Sequence, residues 1–342
     1  MMEPTAHHVA AAAPTPDEVL RVEDLFVQFS SGGKRVHAVD GVSFSLKRGE
    51  VFGLVGESGC GKSATLRSII GLLPGSNVGK AGRIEYDGRN LLMVSDATLR
   101  RVRGAHISMI FQDPMTYLNP VLRIDEQIQE ALRQHTTLNR RERRDRAIEL
   151  MRLVGVPLPE RRLREYPHQF SGGMRQRVLI AIALACNPKI LLADEPTTAL
   201  DVTIQDQILK LLLQLRDELG MSIVLVSHDL GVIVQTCERV AVMYAGQIVE
   251  TATTRELIRR PKHPYTVGLL NSLPSIDSDS RYLQPIPGSP PSLTDVPPGC
   301  RFYDRCSLRT DECRTWRTEL LPVSDRHTAR CLHHDQVERA HD

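Results

Sequence analysis

The stretch GESGCGKS at positions 56–63 constrains this chain more than any other. Gly56, Gly59 and Gly61 let the backbone wrap tightly with its amides facing inward, Lys62 can reach the outer phosphates of a nucleotide, and the Ser63 hydroxyl is placed to hold Mg²⁺. The match to G-x-x-x-x-G-K-[ST] is complete. Its flanks agree with it, because VFGLV at 51–55 reads as a buried strand and SATLRSIIGLL from Ser63 reads as a helix whose N-terminus faces an anion. A bare glycine turn has no need of Lys62 and Ser63. The expectation is a P-loop for a nucleoside triphosphate, with Gly56, Glu57, Ser58, Gly59, Cys60, Gly61, Lys62, Ser63 and Ala64 as the binding stretch.

A chain of 342 residues, 41% of them hydrophobic, has ample length for one large domain with an appendage. The formal net charge of +2 gives no electrostatic footing for nucleic acid as a partner. No apolar run approaches the roughly 20 residues that span a bilayer, and the N-terminus lacks the basic and apolar regions of a signal peptide. A cytosolic setting is therefore expected. In that setting seven cysteines argue against a disulfide framework and leave metal binding or simple burial.

Along the chain, residues 1–19 are rich in Ala, Pro and His without periodicity and are expected to form a disordered leader. LFVQF at 25–29, VHAVD at 36–40 and VSFSL at 42–46 read as strands of an antiparallel flap beside the nucleotide. Phe29 in this flap is a candidate to stack on adenine, with plain core as the competing reading. GRIEYDGRNLL at 82–92 reads as a strand and turn, and ISMIFQ at 107–112 as a buried strand that puts Gln112 at its C-terminal end, where ligands gather in open α/β sheets. From about 113 to 180 the spacing becomes helical (Ile124, Ile128, Leu132, then Ala147, Met151, Val154), and the mixed-sign run RRERRDR at 140–146 reads as a solvated helix face.

Ser171, Gly172 and Gly173 then open an apolar helix and form a second anion cradle, which one site on one chain does not need. ILLAD at 190–194 reads as a buried strand ending in the pair Asp194 and Glu195, one carboxylate to support Mg²⁺ and one to polarise an attacking water. An amphipathic helix over 203–219 and the strand SIVLVSHD at 222–229 follow, the latter presenting His228 to the phosphate region; ERVAVMY and QIVET close the domain.

In this order the motifs resemble the nucleotide-binding domains of ABC transporters over most of residues 20–270. GESGCGKS looks like Walker A, Gln112 like the Q-loop, SGGMRQ at 171–176 like the signature, ILLADE at 190–195 like Walker B with its catalytic glutamate, ALD at 199–201 like the D-loop, and His228 like the switch histidine. The resemblance implies an α/β P-loop NTPase cassette: a RecA-like core with an antiparallel β flap and a helical insertion. It also implies head-to-tail pairs of cassettes that sandwich two ATP molecules, each between one subunit's Walker A and the other's signature. That gives the second cradle a purpose, in a partner's site.

The tail narrows the resemblance. KHPYTVGLLNSLP at 262–274, PIPGSPPSL at 285–293 and PPGCRFYDRC at 297–306 resemble the C-terminal extension of ATP-binding subunits of dipeptide and oligopeptide ABC importers. The extension is expected over 271–342 as small and irregular, since Pro-rich text forms neither regular helix nor central strand. Cys300, Cys306, Cys313 and Cys331 lie there without a C-x-x-C pair. Their density in a core-poor tail leaves four unrelated thiols or a metal site as readings. The resemblance implies a [4Fe-4S] cluster on all four, with zinc as runner-up and His327, His333 or His334 as substitute ligands. Cys60 reads as a small residue that fits the loop, or as a thiol sensitised by it, and Cys186 and Cys237 as buried and inert.

The expected function is thus an ATPase subunit that powers peptide uptake from the cytoplasmic face of the cell membrane. Its expected partners are a second ABC ATPase subunit, related or identical, two transmembrane permease subunits and, indirectly, an extracytoplasmic peptide-binding protein, with no nucleic acid. Catalytic roles fall to Glu195, His228 and Gln112, and Mg²⁺ to Ser63 and Gln112 with support from Asp194. DPMTYLNPVL after Gln112 is the expected docking segment for the permease. The alternatives are an importer ATPase for another small solute such as nickel, or a soluble ABC ATPase outside transport.

Overall fold

Two sheets meet at the nucleotide loop. In the computed structural model, residues 17–73, 75, 77–198, 200–273, 286–316 and 318–338 are described. Expectations on the first sixteen residues, on Ala199, on 274–285 and on 339–342 lie outside them.

Alternation of apolar residues builds the first sheet. Strand β1 (Glu18–Ser31) and strand β2 (Lys34–Lys47) form a long antiparallel hairpin closed by Gly32 and Gly33, both at positive φ. These two strands replace the three shorter ones read from the sequence, and β1 begins inside the stretch expected as leader. In β1 the buried residues run Leu20, Val22, then Leu25, Val27. The period slips by one where Asp24 adopts φ +44 and the register to β2 shifts, so a bulge keeps one face apolar along the whole strand. β3 (Val51–Val55) leaves for the second sheet, and β4 (Val78–Tyr86) with β5 (Arg89–Asn90) returns to complete the order β2-β1-β4-β5.

The second sheet adds β6 (Ile107–Ile110), β7 (Ile190–Asp194), β8 (Ser222–Ser227), β9 (Arg239–Tyr244), β10 (Gln247–Thr253), β11 (Leu321–Ser324) and β12 (His327–Ala329) in the order β11-β12-β10-β9-β3-β8-β7-β6. β3, β6, β7, β8 and β9 run parallel, while β10, β12 and β11 pair antiparallel. The parallel strands are buried on both faces, which is why they read as unbroken apolar runs. Their residues divide by parity. Phe52, Leu54, Leu192, Val224, Val226 and Met243 join the core shared with the first sheet, and Phe44 stacks on Phe52 there at 5.1 Å. Val51, Val55, Leu191, Leu225 and Val242 face the opposite core, with the helices.

The helices on that second face include Ile124–His135, Arg140–Leu153, Gly172–Ala183 and Val202–Leu219. Between 264 and 271 the chain forms one more helix, and the C-terminal extension is less irregular than its proline content implies. Its strands β11 and β12 continue the main sheet beyond β10: HTA at 327–329 pairs with Glu250 and Thr251, and β11, which carries Pro322, takes the sheet edge, where a proline is tolerated.

Candidate functional site

The P-loop joins β3 to the helix Lys62–Ile69, whose cap residue Gly61 has φ +108. A side chain at Gly61 would meet the Ala38 carbonyl at 2.2 Å, so the flap presses directly on the loop. Lys62 is buried and donates from Nζ to the carbonyls of Gly56 (2.7 Å) and Glu57 (3.0 Å). Its ammonium also lies 3.9 Å from Glu195 Oε1.

Two carboxylates stand opposite the loop. Asp194, wholly buried at the end of β7, accepts the Ser63 hydroxyl on Oδ1 at 2.8 Å. Its Oδ2 is buried with no hydrogen-bond partner among the described residues. Burial pushes the Asp194 carboxyl above the usual range, against the Ser63 hydrogen bond and the nearby Arg67 charge. A buried oxygen left unpartnered beside a hydroxyl is the donor set a hard cation takes, so the residues fit Mg²⁺. Glu195 follows at φ +48, a backbone region costly for a residue with a Cβ. That turn brings its Oε2 to three partners: Gln112 Nε2 at 2.9 Å, Thr198 Oγ1 at 3.0 Å and His228 Nδ1 at 3.1 Å. The ends of β6, β7 and β8 thus converge on one carboxylate.

The cleft in front of these groups holds about 330 Å³ and is lined by Phe29, Val36 and Ala38 from the flap, by Ser58, Gly59, Gly61, Lys62, Ser63 and Ala64 from the loop and its helix, and by Gln112 and Glu195. Ser171, Gly172 and Gly173 are not in this lining. Ser171 caps its helix by accepting the Met174 amide at 3.4 Å, and both Ser171 and Gly172 are exposed. Cys60 is buried, and burial raises its thiol pKa against the Lys62 charge, so the loop does not sensitise it. Burial likewise pushes Cys237 up to about 12.

Several contacts escaped the sequence reading. Thr198 had a local signal, three residues after Glu195 in the same turn. Tyr265 and Arg305 had none: the Glu57 amide donates to Tyr265 Oη at 2.9 Å, and Arg305 grips the Glu57 carboxylate at 2.8 and 2.9 Å.

The cysteine expectation is corrected. Cys300, Cys306, Cys313 and Cys331 do line one cavity, with Phe302, Tyr303 and Trp316 among its walls, but that cavity holds about 20 Å³, room for little more than a water. Among the described residues no group of three or more His, Cys, Asp or Glu is arranged to hold a metal ion. Burial raises the thiols, Cys300 to about 11 and Cys331 to about 12. Of the substitute histidines, His327 bonds Glu250 at 2.7 Å and His334 meets Asp335 at 3.0 Å, while His333 lines the same cavity with Nε2 on Thr310 at 2.9 Å. The residues fit neither a [4Fe-4S] cluster nor zinc.

Comparison with known proteins places this geometry. The family model described as ABC transporter matches residues 39–198, and that of the oligopeptide/dipeptide transporter, C-terminal region, matches 249–313. The dipeptide transport ATP-binding protein DppD of Bacillus subtilis (strain 168) is 50% identical over 321 residues, 94% of this chain and 96% of DppD. This chain belongs to the ABC transporter family. It is an ATP-hydrolysing subunit of that family, which accounts for both the P-loop and the carboxylates facing it. The oligopeptide transport ATP-binding protein OppD of the same organism is 49% identical over 311 residues, 90% of this chain and 87% of OppD. Among solved structures, the dimeric ATP-binding cassette MJ0796 in a post-hydrolysis state with ADP and Pi superposes with a TM-score of 0.62 at 32% identity, covering 69% of this chain and 99% of that one. Among the described residues, no helix of this ABC protein is long and apolar enough to cross a membrane.

Proposed function

We propose that this subunit hydrolyses ATP to drive uptake of dipeptides or oligopeptides, working with a second ATPase subunit and two permease subunits at the cytoplasmic face of the cell membrane. The observation that carries the chemistry is the Glu195 carboxylate, held by Gln112, Thr198 and His228 beside Lys62. The substrate class is supported by the likeness to DppD and OppD, named for dipeptide and oligopeptide transport, over nearly the whole chain.

In this reading the loop from Gly56 to Ala64 wraps the phosphates, and Lys62 exchanges its carbonyl partners for phosphate oxygens. Ser63, the free Asp194 oxygen and the Gln112 side-chain carbonyl would hold Mg²⁺, which would supply positive charge to the transferring phosphoryl group. Glu195 takes a proton from the attacking water as its oxygen bonds to the γ-phosphorus; the bond to the β,γ-bridging oxygen breaks and ADP leaves with the electron pair. His228 has Nδ1 on Glu195, so Nε2 is the nitrogen left to contact the γ-phosphate. Phe29 stacks on the base. Ser171, Gly172 and Gly173, outside this cleft, complete the site of the partner ATPase subunit, an arrangement consistent with the dimeric MJ0796 cassette. Downstream of Gln112, exposed Tyr117, stacked on Phe111 at 3.9 Å, and exposed Val121 offer an apolar contact for the permease.

The test is reconstitution of the complex in vesicles with its binding protein. Peptide-stimulated ATP hydrolysis with peptide accumulation is expected. Hydrolysis indifferent to peptide but stimulated by another solute would reassign the substrate.

A further inference from the structure

The nucleotide cleft is lined by two chemically different sets of groups. Lys62, Ser63, Gln112, Glu195 and the glycine amides give the lining its polar groups, while Phe29, Val36 and Ala38 bring the side chains of the flap, which are apolar. Leu293 adds one more apolar side chain to the second set. Every other described lining residue lies between 29 and 195; Leu293 alone comes from the C-terminal extension.

Leu293 is held in place by backbone and by buried charge. Its carbonyl accepts the His37 amide at 2.9 Å, between Val36 and Ala38. Before it, Arg305 donates to the carbonyls of Pro287 (2.8 Å) and Ile286 (3.3 Å) while gripping Glu57. After it, Arg301 donates to Asp40 of β2 and to the Ala245 carbonyl. The segment is therefore tied at both ends to the flap and the loop, and its one large aliphatic side chain at the cleft arrives on a fixed backbone.

With the phosphates drawn to the polar groups, the heterocycle is left to the apolar ones, which offer contact area without charge. We propose that Leu293 packs against the nucleotide base together with Phe29, so that the C-terminal extension is part of the ATP site. This rests on the cleft being the ATP site, as set out above. The hydrophobic contribution of one partly buried leucine sets the scale, about fivefold in affinity.

The experiment compares equilibrium binding of ATP and of inorganic tripolyphosphate, which has the phosphates and no base, to the full-length chain. Leu293→Ala is expected to weaken ATP about fivefold and leave tripolyphosphate unchanged, with Leu293→Ile near wild type. Leu293→Val gives a smaller, graded loss and covers any disturbance of the segment by the larger truncation. ATP binding unchanged, or ATP and tripolyphosphate weakened alike, overturns the role for Leu293 while the cleft reading stands. Lys62→Ala tests that reading separately: it is expected to weaken both ligands, and if it weakens neither, the cleft assignment falls and the proposal with it.

Discussion

Glu57 of the P-loop and Arg305 of the C-terminal extension lie 248 positions apart, yet both terminal nitrogens of Arg305 sit on the Glu57 carboxylate at 2.8 and 2.9 Å. The arginine side chain is 5% exposed and also lies over the rings of Tyr244 and Phe302. The extension is thereby coupled to the phosphate loop through a paired charge, with the Tyr265 hydroxyl bonded to the Glu57 amide beside it.

Removing that arginine leaves Glu57 partly buried and unpaired. Arg305→Ala is expected to destabilise the chain by about 2 kcal/mol, below the full cost of breaking a buried pair because Glu57 retains some solvent. Arg305→Lys, which keeps the charge and loses the two-pronged geometry, recovers only part of it. Urea unfolding of the two variants checks the order; equal stability of Arg305→Ala and wild type would refute the coupling.

Two glycines of the loop separate crowding from backbone strain. A Cβ at Gly56 would sit 2.1 Å from the Met243 carbonyl and 2.9 Å from Cys60 Sγ, with no flexible end to give way. A Cβ at Gly59 meets nothing within 4 Å, although φ is +79. Gly56→Ala should abolish measurable ATP binding, and Gly59→Ala should leave the loop's packing intact and cost about 1 kcal/mol of stability through its φ alone, a loss that urea unfolding reads. Isothermal titration with ATP decides the first.

Glu195→Gln retains the shape of the side chain and removes the base. ATP hydrolysis should fall by roughly 10²–10⁴-fold while ATP affinity stays within a few fold, giving an ATP-loaded closed dimer. Single-turnover hydrolysis and gel filtration with ATP measure both, and full turnover by the variant would remove Glu195 from its role.

His263 supplies a pH dependence. It is buried, and Nδ1 accepts the Tyr265 amide at the start of the 264–271 helix. Burial, with the nearby Arg330 charge, lowers its pKa from 6.5 to about 3. The unfolded chain takes up a proton near pH 6.5 and the folded chain does not until about pH 3, so this stabilisation is present above 6.5 and is lost as pH falls between the two values. Denaturation midpoints should show about 2 kcal/mol lost from this group between neutral pH and pH 5. His263→Asn keeps a capping acceptor and should flatten that slope; an unchanged slope would assign it to other groups.

The site was legible where chemistry follows directly from strand ends. Gln112, Asp194, Glu195 and His228 each close a buried apolar run, and parallel strands carry such ends to one edge, so their meeting was readable from order alone. The bulge at Asp24 was not: read from sequence, the strand starts at Leu25, past the slip, and β2 divides in two at Gly41. Nor were Tyr265, Leu293 and Arg305 attached to the nucleotide loop, because nothing local in a proline-rich tail says what it lies against. For the four cysteines, density in the chain pointed to a metal, and a cavity with room for little more than a water points to packing.

By itself, GESGCGKS with its flanking strand and helix determined a phosphate cradle, since glycine φ angles, one lysine and one hydroxyl are local properties. Only the tertiary structure decided what surrounds it. Glu195 gains its three partners across three strands, Glu57 finds its counter-charge at Arg305, and Leu293 reaches the cleft from the far end of the chain. Those contacts join residues that sequence proximity cannot pair, and they form because folding buries the apolar surface between them and leaves each polar group only the partners enclosed with it.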